Sequence, residues 1–229
     1  MRIVAVAFDT DDPERVAAFW ASILGRDVVR ETGGVLVPGD DTQVGLRFVA
    51  AGTGTSGRNR LHLHLTSSTR EEQQNTVESA LGLGARHIDV GQRPEEGHIV
   101  LADPGDNEFC VIEPGEGWLA GCGFLGEVTC DGTPAVGYFW RDALGWPLVW
   151  DRGQQTAIQS PMGGTKISWD VWPGPPRYGS RRQRFDLATS DLAADVARLV
   201  VLGATELGER DGCVVLADPD GGEFSLGHD

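Results

Sequence analysis

The stretch VAAFWASILGRDVV at residues 16–29 returns as VGYFWRDALGWPLV at residues 136–149. A second stretch repeats in the same order, because LADPGDNEF at residues 101–109 returns as LADPDGGEF at residues 216–224. The copies are separated by roughly half of the 229-residue chain. Self-similarity at a fixed spacing indicates a duplicated structural unit, so we expect the two copies to have the same fold.

Each copy contains two β-α-β-β-β units. In the first, an apolar run precedes a helix that begins at Asp12 and Pro13 and ends at Gly25, and three strand-like segments follow. The pattern restarts at residues 60–66 with an alternating strand, followed by a helix that begins at Thr69. The second copy repeats both units. The sequence therefore predicts an α+β fold of four tandem β-α-β-β-β units.

The repeats place a first domain at residues 1–115 and a second domain at residues 124–229. Residues 116–123 between them belong to the Gly-rich stretch PGEGWLAGCG, whose composition is typical of a connector. Each half is long enough to bury a hydrophobic core of its own. We expect Trp118 to anchor the connector between the domains.

The chain is acidic, with a formal net charge of -15 and no run of Lys or Arg. Such a surface repels a phosphate backbone and an anionic bilayer, so neither nucleic acid nor membrane is an expected partner. The apolar stretches are shorter than the roughly 20 residues that a membrane span needs, and the N-terminus lacks the pattern of a secretory signal. We therefore expect a cytoplasmic protein whose 4 cysteines are free thiols.

Three motifs resemble the vicinal oxygen chelate superfamily, and in particular its glyoxalase-like branch: DPERVAAFWASILG at residues 12–25, RLHLHL at residues 60–65 and LADPGDNEFCVIE at residues 101–113. That superfamily includes glyoxalase I, bleomycin-binding resistance proteins and extradiol dioxygenases. The resemblance covers the whole chain as two tandem glyoxalase-like domains. It implies curled mixed sheets with the helices on the outer face and a pocket on the inner face.

Side chains alternate between the two faces of a strand, so the sequence sorts them into core and pocket. In RLHLHL the leucines are expected to pack beneath a helix, which turns the intervening histidines toward the pocket. Applied to each half separately, this alternation predicts a first pocket that contains Arg47, His62, His64, Glu108 and Cys110. It gives a second pocket that contains Glu127, Lys166, Asp170, Arg184 and Asp186, together with Trp172 on the adjoining long loop.

The resemblance also implies where a metal is held, because metalloenzymes of the superfamily use four positions shared by two units. In the first half these positions carry Ala5, Arg47, His62 and Cys110. In the second half they carry Leu125, Ser168, Arg184 and Ser225. Methyl and guanidinium groups donate no electron pair to a cation, so we expect the family's metal site to be missing and no cofactor to be bound.

Other uses of the first pocket stay open. His62, His64, Glu108 and Cys110 include good zinc ligands that neighbouring strands could bring together in a non-standard metal site. His62 could instead pair with Cys110 as base and thiol, or Glu108 with His64 as an acid–base couple. The structural alternative is that the histidines are hydrogen-bonded wall residues and that Cys110 is a small buried hydrophobe.

Three functions are consistent with the sequence. The first, which the missing metal donors favour, is a metal-independent protein that holds a small-molecule ligand in a polar and aromatic pocket. The second is a lyase, isomerase or dioxygenase that works through His62, His64, Glu108 and Cys110. The third is an interaction or regulatory module with vestigial grooves. Two domains in one chain form an internal pseudo-dimer, so we expect a monomer or a homodimer.

Overall fold

The computed structural model describes residues 1–51, 59–93, 95–171 and 182–229. Within these ranges, no helix is long and apolar enough to cross a bilayer. The elements in chain order are β1 (Arg2–Thr10), α1 (Pro13–Leu24), β2 (Val29–Glu31), β3 (Gly34–Val37), β4 (Gly45–Ala50), β5 (Leu61–Leu65), α2 (Arg70–Gly82), β6 (Arg86–His87), β7 (Ile99–Ala102), β8 (Glu108–Val111), a short 3-10 helix (Gly117–Leu119), β9 (Leu125–Asp131), α3 (Pro134–Leu144), β10 (Leu148–Arg152), β11 (Gln155–Gln159), β12 (Lys166–Asp170), β13 (Gln183–Thr189), α4 (Leu192–Val201), β14 (Thr205–Arg210), β15 (Cys213–Ala217) and β16 (Glu223–His228).

The caps of α1 confirm both predicted ends of the first helix. Oδ1 of Asp12 accepts a 3.1 Å hydrogen bond from a backbone N–H of the first turn, where Pro13 also lies. The helix ends at Gly25, whose φ of 64° is in the left-handed region that glycine adopts without strain. Side chains also cap α2 and α4, at Thr69 and Asp191. Local sequence therefore fixes where these helices begin.

Strand pairing joins the four units in an order that differs from their order along the chain. Sheet A has the order β14-β15-β16-β13-β1-β4-β3-β2, and sheet B has the order β10-β11-β12-β9-β5-β8-β7-β6. The first unit pairs with the fourth through antiparallel β1 and β13, and the second pairs with the third through antiparallel β5 and β9. Each sheet therefore takes four strands from each half of the chain.

This pairing confirms an α+β fold with two mixed sheets, but the predicted grouping of pocket residues is wrong. Residues 1–115 and 124–229 are repeats along the sequence, and neither half forms a sheet by itself. Alternation along a strand fixes the face on which a side chain lies, whereas contacts between units set the partner strand. Arg47 is consequently on the same sheet as Arg184 and Asp186, and the histidines of β5 share sheet B with β12.

In each half of the chain, the tryptophan of the repeated helix motif packs against the phenylalanine of the second repeated motif. The ring centroids of Trp20 in α1 and Phe109 in β8 are 5.0 Å apart, and those of Trp140 in α3 and Phe224 in β16 are 4.9 Å apart. Trp20 also donates a 2.7 Å hydrogen bond from Nε1 to Oδ2 of Asp103. Each of these contacts links consecutive units, which belong to different sheets. The core therefore joins sheet A to sheet B.

Candidate functional site

One face of β5 carries two histidines because leucine and histidine alternate along this strand. Leu61, Leu63 and Leu65 are buried in the main hydrophobic core, with exposed fractions of 7%, 1% and 0%. His62 and His64 are half-buried between them and lie on the opposite face of the strand. The burial pattern is therefore the one that the alternation predicts, and we call the face with the histidines the inner face of sheet B.

Two neighbouring strands complete the site. The parallel strand β8 places Cys110 beside His64, and the antiparallel strand β9 places Thr129 opposite His62 and Glu127 opposite His64. The ring centroids of the two histidines are 4.9 Å apart. One ligand atom from each of His62, His64 and Cys110 lies within 4.8 Å of the other two. These three residues form a compact group of imidazoles and a thiol, which we call the His–Cys cluster.

Glu127 holds His64 in a fixed orientation. The Glu127 side chain is 4% exposed, and its Oε2 lies 2.8 Å from Nδ1 of His64. Its other carboxylate oxygen accepts a 2.9 Å hydrogen bond from Nε1–H of Trp118. Because an ionised carboxylate only accepts hydrogen bonds, Nδ1 of His64 is the donor, and Nε2 is left for another partner.

Electrostatics favour the charged forms of both members of this pair. Burial by itself lowers the pKa of His64, but hydrogen bonds and charge interactions with Cys110 and Glu127 raise that pKa to about 10. Burial raises the pKa of Glu127, whereas its interactions with His64, Ser168 and Trp118 outweigh burial and lower it. The pair is therefore an imidazolium and a carboxylate at neutral pH.

The connector between the repeats packs against the side chains of this face. Its short helix, Gly117–Leu119, places the Trp118 ring edge-to-face with that of Trp150, with centroids 5.2 Å apart. Lys166 donates a hydrogen bond to the Trp118 carbonyl oxygen, and its Nζ lies 4.5 Å from the Trp118 ring centroid. Trp118 therefore anchors the connector, and it does so on sheet B.

A cavity of about 520 Å³ lies beside the connector. Its walls come from the segment before α2, the segment after β8 and the connector itself, and they include Ile112 and Leu119. These two residues also belong to a small buried apolar cluster with Val100, Cys110 and Cys122. The cavity therefore adjoins the apolar cluster that contains the thiol of the His–Cys cluster.

Ion pairs connect the predicted pocket residues of sheet A. Arg47 contacts Glu31 at 3.0 Å and Asp186 at 3.6 Å. Arg184 contacts Asp9 at 2.8 Å and Asp186 at 3.5 Å. Burial lowers the pKa of Arg184, but the carboxylates around it, first among them that of Asp186, outweigh burial and raise it. The guanidinium groups of this face are therefore charged and neutralised by neighbouring carboxylates.

The metal positions that the resemblance implies do not fit a cation on sheet A. When the metal positions are grouped by the observed strand pairing, the four on sheet A are occupied by Ala5, Arg47, Arg184 and Ser225. The two guanidinium groups among them repel a divalent cation. The four positions on sheet B carry His62, Cys110, Leu125 and Ser168, so the third unit supplies no usual donor. His64 lies outside these four positions, and with it the second unit alone brings three donors together.

Two other predicted site residues, Glu108 and Asp170, lie outside the His–Cys cluster. Glu108 is half-buried on β8 and is not one of the three residues of the cluster. Asp170 is exposed at the end of β12. Trp172 lies outside the described residues.

Glu127 lies on a different sheet from Arg184 and Asp186, the residues with which the sequence groups it. Its position on β9 indicated an inward side chain, and the structure places that side chain against His64 of the other repeat. The pairing of β5 with β9 leaves no signal in the alternation of either strand, so the contact could not be read from the pattern. The sequence indicates Trp118 as an anchor but, for the same reason, does not indicate its contact with Glu127.

Comparison with known proteins gives both a sequence match and a structural match. A family model described as a glyoxalase-like domain matches residues 5–112 and 127–227. The structure resembles glyoxalase I from Zea mays with a TM-score of 0.69 and 14% identity, over 98% of this chain and 91% of that one. No curated protein gives a significant sequence match.

A shorter protein resembles one part of the chain. It is a glyoxalase/bleomycin resistance protein/dioxygenase family enzyme from Burkholderia phytofirmans PsJN, with a TM-score of 0.41 and 21% identity. The match covers 48% of this chain and 97% of that one. At these levels of identity, it is the structure from Zea mays that supports the fold, and it supports the fold alone.

Proposed function

The chain belongs to the family of glyoxalase-like domains, and on that premise we propose that it binds a small-molecule ligand on the inner face of sheet B. The observation that carries the proposal is the difference between the two sheets. On sheet A the charged groups neutralise one another. On sheet B, Lys166 and the Trp118 ring lie on the face of the His–Cys cluster, and a cavity of about 520 Å³ adjoins both the connector and the apolar cluster that contains Cys110. Ligand pockets typically have volumes of roughly 300–1,000 Å³.

Sheet A is the less suitable face because a polar ligand there has to displace existing ion pairs. The side chains of Arg184 and Asp186 are 11% and 9% exposed, and each has a further charged partner. Breaking a buried pair leaves an uncompensated charge, which costs about 3–5 kcal/mol. We therefore assign Arg47, Arg184 and Asp186 a structural role, although the sequence placed them in a pocket.

The side chains near the His–Cys cluster favour a ligand with a flat aromatic part and an acidic group. Trp118 and Trp150 supply indole surface, and their rings already contact each other. Lys166 is half-buried beside Trp118, where its ammonium group can pair with a carboxylate. The proposal therefore commits to small aromatic acids as the ligand class.

An enzymatic function is the second candidate because of the charged pair beside the thiol. His64 and Glu127 are 2.8 Å apart, and Cys110 is the neighbour of His64 on β8. A histidine held in this way can exchange a proton with a thiol or with a bound ligand, as a lyase or isomerase requires. Such an enzyme needs His64 itself, whereas a binding protein needs the shape and charge of the face.

A thermal-shift screen tests the proposal, because a compound that binds only the native state raises the melting temperature. Aromatic carboxylates, thiols and glycopeptide antibiotics are screened against the wild type and three variants. His62→Ala alters the proposed site, His87→Ala is a matched control at an exposed position of β6, and Arg47→Met alters sheet A.

We expect aromatic carboxylates to raise the melting temperature of the wild type, His87→Ala and Arg47→Met proteins, and to lose this effect in His62→Ala. Hits that keep their effect in His62→Ala and lose it in Arg47→Met would overturn the assignment to sheet B. A hit that the wild type converts to product, and that His64→Gln binds without conversion, would support the enzymatic candidate.

A further inference from the structure

We propose that His62, His64 and Cys110 bind one divalent cation of the zinc class, through a site that the second unit supplies on its own. The proposal rests on the proposed function, because it places the cation on the face of sheet B that binds the ligand. It also revises the sequence-based expectation that no metal is bound. That expectation considered four positions shared by two units, and His64 is not among them.

The donor set is the first argument. Among the described residues, these three form the one group of at least three His, Cys, Asp or Glu side chains whose ligand atoms all lie within 4.8 Å of one another. Two imidazoles and a thiolate are donors that zinc accepts, and they exclude the hard cations that prefer oxygen ligands. The backbone sets their spacing, since His62 and His64 lie on one face of β5 and Cys110 is beside His64 in the parallel ladder.

The carboxylate behind His64 is the second argument. Glu127 accepts a hydrogen bond from Nδ1, so Nε2 of the imidazole is directed away from the carboxylate. A cation that binds Nε2 replaces the proton that this nitrogen carries in the metal-free protein. A metal-ligating histidine usually has this kind of carboxylate partner, which fixes the ring and increases its basicity. Trp118 donates to the other oxygen of Glu127, so the carboxylate is itself held in place.

The coordination number of zinc links the site to the proposed ligand. Three protein donors leave one position of a tetrahedral ion open. Cys110 packs in an apolar cluster with Ile112 and Leu119, and these two residues also line the neighbouring cavity. An acidic group held by Lys166 on the same face can then occupy the open position, which links the cation to the proposed ligand class.

Titration of the full chain with Co²⁺ and Zn²⁺ tests the site. After treatment with a chelator, the protein is titrated with Co²⁺, whose bond to a thiolate gives a charge-transfer absorption band, and Zn²⁺ binding is measured by calorimetry. We expect one equivalent of either ion and a thiolate band that Zn²⁺ abolishes. Absence of the thiolate band in the wild type would overturn the proposal whatever the variants do.

Matched variants assign the ligands. We expect Cys110→Ser and His62→Ala to weaken Zn²⁺ binding at least about a hundredfold, and Glu127→Gln to weaken it about tenfold. Cys213→Ser and His87→Ala change the same residue types elsewhere and should leave the affinity unchanged. Cys110→Ser with wild-type affinity would overturn the site. Circular dichroism of each variant shows whether a loss of binding reflects a loss of fold.

Different results would contradict the metal site and the proposed function. If the chelator-treated protein binds aromatic carboxylates but neither Co²⁺ nor Zn²⁺, the metal site is wrong and the proposed function stands. If the protein binds one cation through Cys110 but the screen yields no compound that depends on His62, the metal site stands and the proposed ligand class is wrong.

Discussion

Oε2 of Glu127 lies 2.8 Å from Nδ1 of His64, and the two residues come from different repeats of the sequence. The contact exists because β5 of the second unit pairs with β9 of the third. It orients one imidazole of the His–Cys cluster, and through Trp118 it also ties the connector to sheet B. The candidate site therefore depends on how the units pair and not on either repeat alone.

Removal of the Glu127 charge should destabilise the protein. In Glu127→Gln the imidazolium of His64 is left without its carboxylate, and we expect the free energy of unfolding to fall by about 3 kcal/mol. Denaturant unfolding measures this change. Glu206→Gln, at an exposed position of β14, is the control and should change the free energy by less than about 0.5 kcal/mol. Equal effects of the two substitutions would contradict a stabilising role for the contact with His64.

Loss of the Trp118 side chain should release the connector from sheet B. Trp118→Ala removes the packing against Trp150 and the hydrogen bond to Glu127, so we expect about 2 kcal/mol less stability and faster amide exchange over residues 116–123. Trp118→Phe keeps a ring and loses the hydrogen bond, which should cost about 1 kcal/mol. Unchanged exchange in Trp118→Ala would show that the connector is held by other contacts.

Gly164 and Gly163 provide a matched pair at a contact between sheets. Both have a positive φ, 89° at Gly164 and 81° at Gly163, but a Cβ at Gly164 meets the Thr42 carbonyl oxygen at 1.6 Å whereas one at Gly163 meets nothing within 4 Å. We expect Gly163→Ala to cost about 1 kcal/mol, from backbone conformation alone. Gly164→Ala should cost more than about 4 kcal/mol, measured by denaturant unfolding. Similar losses would contradict the close approach of the Thr42 backbone.

Asp195 should make stability depend on pH in the acid range. Burial raises the pKa of Asp195, but hydrogen bonds from Thr189 and Arg198 outweigh burial and lower it. Such a carboxylate stabilises the fold above its unfolded pKa of about 3.9, and this contribution is lost as the pH falls through the folded pKa. The difference in free energy of unfolding between wild type and Asp195→Asn should be constant from about pH 5 to 7 and shrink below about pH 4. A difference independent of pH would contradict this role.

The sequence was sufficient to predict the repeat, the order of elements in each unit and the face of the strand on which each side chain lies. Helix caps at Asp12 and Gly25 depend on local geometry, and the alternation of leucine and histidine in residues 60–65 depends on the pleat of one strand. Both signals are carried by residues close together in the chain. The α+β fold and its four units could therefore be derived before any tertiary contact was known.

The site could be predicted only in part, because pairing between units is a long-range property. His62, His64 and Cys110 lie within one unit, and their ligand atoms lie within 4.8 Å of one another. Glu127 and Arg47 were each placed with the wrong partners, because edge-to-edge pairing of β5 with β9 and of β1 with β13 has no local signature. The metal positions that the family resemblance implies could not correct these groupings. They name the positions that bind a metal, but they do not say which units share a sheet.

The most direct test of the central claim, that the inner face of sheet B is the ligand face, is a nuclear magnetic resonance spectrum of the histidine side chains. The chain has 5 histidines, and the spectrum is recorded with and without the strongest aromatic carboxylate from the screen. We predict that the ligand shifts the imidazole signals of His62 and His64 and leaves those of His87 and His228 unchanged. Shifts at His228, which is on sheet A, with none at His62 or His64 would contradict it.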